Sequence, residues 1–138
     1  MKRILLASVC TLAFPVGTAF AEQLTVFGPW LGPDQENVEK VLAVYAEQSG
    51  NDVRYVGSDS FEQQIVVDLE AGSAANIAAF PQPGLASDMA ARGFLTPIGD
   101  DVANWVTENY AAGPSWVALG TYAGPDGSKA FYGFPFKN

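Results

Sequence analysis

Apolar positions along this chain recur at two alternating periods. Leu24-Thr25-Val26-Phe27 is a short apolar run ended by Gly28-Pro29, with the length and punctuation of a buried strand. The stretch "PDQENVEKVLAVYAEQSG" then places Val38, Val41, Leu42 and Tyr45 at helical spacing. Asp34, Glu36 and Glu39 fall in its first turns, which suits the positive end of a helix dipole, and Gly50 stands where a C-terminal glycine cap belongs. Asp52 to Val56 alternates as a strand. In "SDSFEQQIVVDLEAGSA", Phe61, Ile65 and Leu69 share one helix face, Gly72 ends the helix, and Asp59 with Glu62 fits a capping box. Asn76 to Phe80 reads as a third buried strand, broken by Pro81-Gln82-Pro83-Gly84. Leu85 to Arg92 reads as a short helix stopped by Gly93, after which Phe94-Leu95 packs back toward the core.

This β-α-β-α-β-α order with short loops predicts an α/β fold, a parallel sheet flanked by helices on both faces. Beyond Gly99 the pattern changes. Val102 to Tyr110 has helical spacing, with Asp100-Asp101 before it as an N-cap, and Ser115 to Tyr122 fits either a helix or a strand. The turn signal Gly124-Pro125-Asp126-Gly127 predicts a hairpin joining Thr121-Tyr122 to Phe131-Tyr132. The final run, Ala130 to Phe136, reads as an aromatic strand, and Trp105 and Trp116 are assigned to the core.

Composition narrows the class. At 138 residues the chain makes one domain or part of a larger one, and 49% hydrophobic against 16% charged residues suffices for a core. A net charge of −8 argues against nucleic acid as a partner. No histidine and a single cysteine exclude a zinc site, a Ser-His-Asp triad and a Cys-His pair within this chain, and no metal or cofactor is expected. Residues 1–21 have the three parts of a cleavable signal peptide: Lys2 and Arg3, an apolar stretch of 11 residues from Ile4 to Phe14, and Ala19-Phe20-Ala21 after Pro15 and Gly17. Cys10 lies in mid-run after Val9, so it leaves with the leader rather than taking a lipid. Cleavage before Glu22 leaves a cysteine-free exported chain, a pattern at home in a bacterial periplasm, with its formal charge shifted from −8 to −10.

In an open parallel sheet, ligands bind beyond the C-terminal ends of the strands. That rule selects three turns: Gly28-Pro29-Trp30-Leu31-Gly32, Gly57-Ser58-Asp59-Ser60 and Pro81-Gln82-Pro83-Gly84. The candidate ligand contacts are Trp30, Ser58, Asp59, Ser60 and Gln82. The indole of Trp30 either stacks on the apolar face of a sugar ring or lies flat on the first helix. Asp59 serves as a helix cap or as a ligand group, and Gln82 either recognises hydroxyls from a proline-stiffened turn or simply faces solvent. Tyr122, Phe131 and Tyr132 add aromatic surface nearby. Catalysis is not expected. Asp100-Asp101 are neighbours and do not converge on one substrate as a glycosidase pair would, and neither "GSAAN" nor "GPDG" is a phosphate loop.

Taken together, the leader, the alternating order and the stretch "FPQPGLASDMAARGFLTPIGD" resemble the periplasmic sugar-binding proteins of ABC importers. Two further signatures of that family are matched by Gly93-Phe94-Leu95-Thr96-Pro97-Ile98 and by Tyr132-Gly133-Phe134-Pro135. The wording "FGPWLGPDQENVEKVL", "SDSFEQQI" and "FPQPG" looks most like the alpha-glucoside-binding branch. Many relatives carry a polar or acidic residue directly after the third strand where this chain has Pro81-Gln82, which weakens a carry-over of a carboxylate contact there. The resemblance implies a type II periplasmic-binding-protein fold with two lobes closing on an oligosaccharide, a monomer that hands its ligand to an ABC permease in the inner membrane. On that reading residues 22–138 are the N-terminal part of lobe 1, leaving an apolar sheet edge and the tail aromatics without their covering partners. A binding protein of the same fold for a polyol, peptide or amino acid, an exported glycosidase and an envelope scaffold are the alternatives. An amino-acid ligand is disfavoured because Arg54 and Arg92, the arginines left after cleavage, lie outside the three turns.

Overall fold

The computed structural model describes residues 23–136; the leader assigned to residues 1–21 lies outside them. Strand β1 (Gln23–Gly28) runs between β2 (Asp52–Gly57) and β3 (Ile77–Ala78), parallel to both. A central strand must be covered on both faces. Val26 and Phe27, which point to opposite faces, are both buried. The chain moves from β1 to β2 through helix α1 (Pro33–Ser49) and returns across β1 to β3 through α2 (Phe61–Ala71). Right-handed crossovers in these two directions place α1 and α2 on opposite faces.

The α2 face holds the core. Phe27 packs on Phe61 at 4.9 Å between ring centroids, Phe80 meets Phe61 edge-on at 5.6 Å, and Ile65 sits beneath them. Burying Phe61 and Ile65 contributes about 1.5–3 kcal/mol each. The expected stripe Phe61, Ile65, Leu69 does face this core, and Gly72 closes the helix in the left-handed conformation at φ 69°. The capping box does not form. Ser60 is the residue before the helix, and the Asp59 carboxylate accepts the Ser60 hydroxyl at 3.1 Å instead of a helix N–H.

Helix α1 begins with Pro33, carries Asp34 and Glu36 in its first turn and ends at Gly50, as its sequence implies. Its apolar stripe is split, however. Val38 and Leu42 are half-buried, whereas Val41 is 70% and Tyr45 47% exposed. The helix rests on β2 along one row of side chains, and the adjoining row has no cover among the described residues.

Strand β3 is shorter than the apolar run suggests: beyond Ala78 only the Ala79 N–H continues the ladder, to Phe27 O at 2.8 Å, before the prolines end it. Helix α3 (Pro83–Ala91) then buries Ala86, Met89 and Ala90. Helix α4 (Asp100–Asn109) takes Asp100 and Asp101 into its first turn rather than using them as a cap. The ambiguous segment resolves into helix α5 (Gly113–Leu119) followed by strand β4 (Thr121–Ala123), which pairs antiparallel with β5 (Lys129–Phe131). The hairpin forms with Thr121 opposite Phe131, as the turn signal predicts.

Strand pairing stops at Phe131 instead of running to Phe136. The next two N–H groups, of Tyr132 and Gly133, converge on the carbonyl of Gly120 at 2.9 and 3.1 Å, which turns the chain off the hairpin. Trp105 is not a core residue. It is 51% exposed, because α4 buries itself through Val106 and leaves the indole against Tyr110 and Phe134 at 6.1 Å each. Trp116 is only half-buried and faces a groove described below.

Candidate functional site

Register places the three turns at one edge of the sheet. Gly28 stands opposite Gly57, and Phe27 opposite Ala78, so β1, β2 and β3 end level with one another. The Ser58 N–H extends the ladder by donating to Gly28 O at 3.0 Å. Parallel strands that end together aim their following turns the same way.

Trp30 is the best-anchored of the candidates. Its N–H donates to the Tyr55 hydroxyl at 3.0 Å, and that hydroxyl donates to the Trp30 carbonyl at 3.1 Å. The indole is half-buried. Phe136 meets it edge-on at 5.0 Å and the Tyr55 ring lies 6.3 Å away. Burial raises the Tyr55 hydroxyl above the ordinary tyrosine range; the bond to Trp30 offsets part of this and the Glu39 carboxylate adds to it.

Trp30 lines an apolar groove of about 950 Å³ that wraps the free edge of β3. Leu42 of α1 and Ile65 and Leu69 of α2 contribute from the two faces of the sheet, Pro81 and Pro83 from the third turn, and Trp116, Tyr122, Tyr132 and Phe134 to Phe136 from the opposite bank. Tyr122 and Tyr132 stack there at 6.3 Å and 14°, whereas Phe131 turns into the core. Burial also raises the Tyr122 hydroxyl.

The other candidates lie elsewhere along the same edge. Ser58 lines a second, smaller hollow of about 490 Å³ on the α2 side, together with Thr25, Gln64, Asp68, Ser73 and Asn76. Its hydroxyl accepts the Ser60 N–H at 3.1 Å. Asp59 and Ser60 are exposed, bonded to each other, and line neither hollow. Gln82 is exposed between two prolines that do line the groove. The structure thus brings Trp30 and the Pro81/Pro83 frame together and leaves the polar candidates on the rim. Sequence reasoning passed over Tyr55. The available signal was a tyrosine on the buried face of a strand, whose hydroxyl requires a partner. Among the described residues no cluster of three or more potential metal ligands occurs, and no helix is long and apolar enough to cross a membrane.

A family model described as bacterial extracellular solute-binding protein matches residues 30–137. The chain belongs to that family. The alpha-glucosides-binding periplasmic protein AglE of Rhizobium meliloti is 50% identical over 116 residues, which cover 84% of this chain and 25% of the relative. The osmoprotective compounds-binding protein GgtB of Synechocystis is 36% identical over 104 residues, covering 75% of this chain and 24% of the relative. This family member therefore spans about a quarter of the length of the curated relatives it matches.

Solved structures agree on the fold. The maltose-maltodextrin binding protein of Alicyclobacillus acidocaldarius superposes with a TM-score of 0.66 at 20% identity, over 83% of this chain and 30% of that one. The maltotriose binding protein of Thermus thermophilus does so with 0.65 at 22%, over 81% and 28%. The parallel sheet with flanking helices is thus part of the fold of these two binding proteins.

Proposed function

We propose that this chain belongs to the ligand-capturing component of an ABC importer and takes an alpha-glucoside or related oligosaccharide in the periplasm. The observation that carries the ligand class is the 50% identity with the alpha-glucosides-binding relative over most of this chain. The geometry fits that class. A half-buried indole beside a ring edge offers a flat apolar surface for a sugar, and rim groups such as Ser58, Asp59, Ser60 and Gln82 offer hydrogen bonds to hydroxyls. Capture proceeds by lobe closure with no covalent step, and the closed form, a monomer, is the one an inner-membrane permease reads.

On this reading residues 22–138 form the N-terminal part of lobe 1, and residues 1–21 direct export. The apolar groove along β3 is the surface that the rest of the lobe covers. The osmoprotectant-binding relative supports a second reading, the same fold serving a polyol or other osmoprotective solute.

A calorimetric panel on the complete protein tests the proposal, with maltose, trehalose and sucrose against a polyol and a betaine. Saturable binding confined to the glucosides is expected, with Trp30→Ala weakening it about 10-fold or more, the equivalent of ~1.4 kcal/mol. Binding confined to the osmoprotective solutes establishes the second reading. Release of reducing sugar from bound glucosides replaces both with a glycosidase.

A further inference from the structure

We propose that Tyr55 is a positioning residue for ligand capture, one that presets the Trp30-bearing turn through the two-way hydrogen bond between its hydroxyl and the backbone of Trp30. The inference rests on the reading of Trp30 as a ligand-stacking side chain. Once the chain leaves β1 at Gly28, the N–H and carbonyl of residue 30 have no strand to pair with. One buried hydroxyl satisfies both, at 3.0 and 3.1 Å. Tyr55 itself is held, 7% exposed, in the middle of β2 opposite Val26.

The surrounding residues leave room for this contact and little else. A Cβ at Gly28 would stand 2.8 Å from the Tyr55 hydroxyl, so a larger residue there would push the phenol away. A Cβ at Gly57 would overlap the Trp30 carbonyl oxygen. The carbonyl is therefore seated on the bare backbone of one strand end and gripped by a side chain from the same strand. Phe136 and the Tyr55 ring then flank the indole. A turn fixed in advance loses less conformational freedom when a ligand arrives, which shows as affinity. Tyr55 touches no ligand in this account; it acts through Trp30.

The test is a double-mutant cycle on the complete protein, read by calorimetry with maltose and trehalose as probes. Tyr55→Phe keeps the ring and removes the hydroxyl. It is expected to weaken binding by about 3- to 10-fold where Trp30 is present, the range of one lost hydrogen bond, and to add nothing in a Trp30→Ala background. Exchange of the Trp30 amide with deuterium should speed up in the same variant. Equal weakening in both backgrounds overturns the proposal, because Tyr55 would then act on the fold at large. Unchanged affinity for Tyr55→Phe while Trp30→Ala weakens binding also overturns it and leaves the stacking role of Trp30 standing. Unchanged affinity for Trp30→Ala overturns the stacking role and this inference with it. Gly57→Ala, which displaces the same carbonyl, is a second variant should Tyr55→Phe fail to fold, and it should show the same dependence on Trp30.

Discussion

Replacing Gly57 with alanine sets two effects of opposite sign against each other. Gly57 ends β2 with a φ outside the left-handed region, so alanine can adopt its backbone, and the stiffer unfolded chain alone would stabilise the protein by about 0.4–1 kcal/mol. Against this, the new Cβ meets the Trp30 carbonyl, Leu31 Cδ2 at 3.0 Å and Gln35 Oε1 at 3.1 Å. The ends of Leu31 and Gln35 can swing aside. The carbonyl is backbone and can move only by giving up its hydrogen bond from the Tyr55 hydroxyl. Overpacking of this kind costs about 1–3 kcal/mol, and breaking the hydrogen bond adds about 0.5–1.5 kcal/mol. The clash wins, for a net loss of about 0.5–4 kcal/mol. Gly84 supplies the control. It lies in the first turn of α3 with a φ outside the left-handed region and nothing within 4 Å of its hypothetical Cβ. Gly84→Ala should therefore stabilise by about 0.4–1 kcal/mol with no opposing term. Urea denaturation followed by far-UV circular dichroism checks both, as opposite shifts in midpoint at unchanged slope. A Gly57→Ala protein as stable as its parent would refute the packing argument.

Three other outcomes follow from burial and charge. Tyr55 and Tyr122 hold their protons more tightly in the native state than in the unfolded chain, where tyrosine titrates near 10.0, so stability falls as pH rises from that value toward the native one; Tyr122→Phe should flatten the decline in alkaline denaturation curves. Asp126 works at the other end. The Ser128 hydroxyl and N–H hold its carboxylate below the ordinary 3.8, so its contribution is present above that pH and lost as pH falls through the native value, and Ser128→Ala should shrink the acid-side loss. Residues 22–138 expressed alone should bind a hydrophobic dye and unfold over a broad range of denaturant, since Val41, Val67, Ile77 and Leu119 are more than half exposed beside the groove and helix faces; a sharp transition with no dye uptake would count against the lobe-fragment reading.

Much of the fold was legible because period carries it. The strand-helix alternation, the glycine stops at Gly50 and Gly72 and the Gly124–Gly127 turn each follow from local chemistry, and each appears where the pattern puts it. What failed depended on neighbours rather than on period. The α1 stripe predicts a buried face, yet how far a helix is covered is set by what lies over it, and among the described residues Val41 stays 70% and Tyr45 47% exposed. Trp105 sits in an apolar segment whose helix turns a single residue, Val106, into the core. Asp59 satisfied the spacing of a capping box, but its carboxylate took the nearer Ser60 hydroxyl. The Trp30 turn could be found from Gly-Pro-Trp-Leu-Gly alone. Its anchor could not, because Tyr55 reaches it only through the strand register that sets Gly28 beside Gly57.

On the proposed reading Trp30 serves two surfaces, and the same register explains why. Coverage of the β3 edge and ligand coverage are separate demands: the first requires the groove to be closed by packing, the second requires a face that stays open until a solute arrives. On the proposed reading the polar groups of Ser58, Asp59, Ser60 and Gln82 belong to the open side, and the groove bank of Trp116, Leu119 and Phe134 to the side that needs cover. Trp30 lies where the two meet, half-buried against Phe136 and fixed by its backbone rather than by its ring. An indole held that way can present its free face without depending on what covers the groove. Removing the ring should therefore weaken ligand binding far more than it weakens the fold, whereas disturbing its backbone anchor at Gly57 should weaken both.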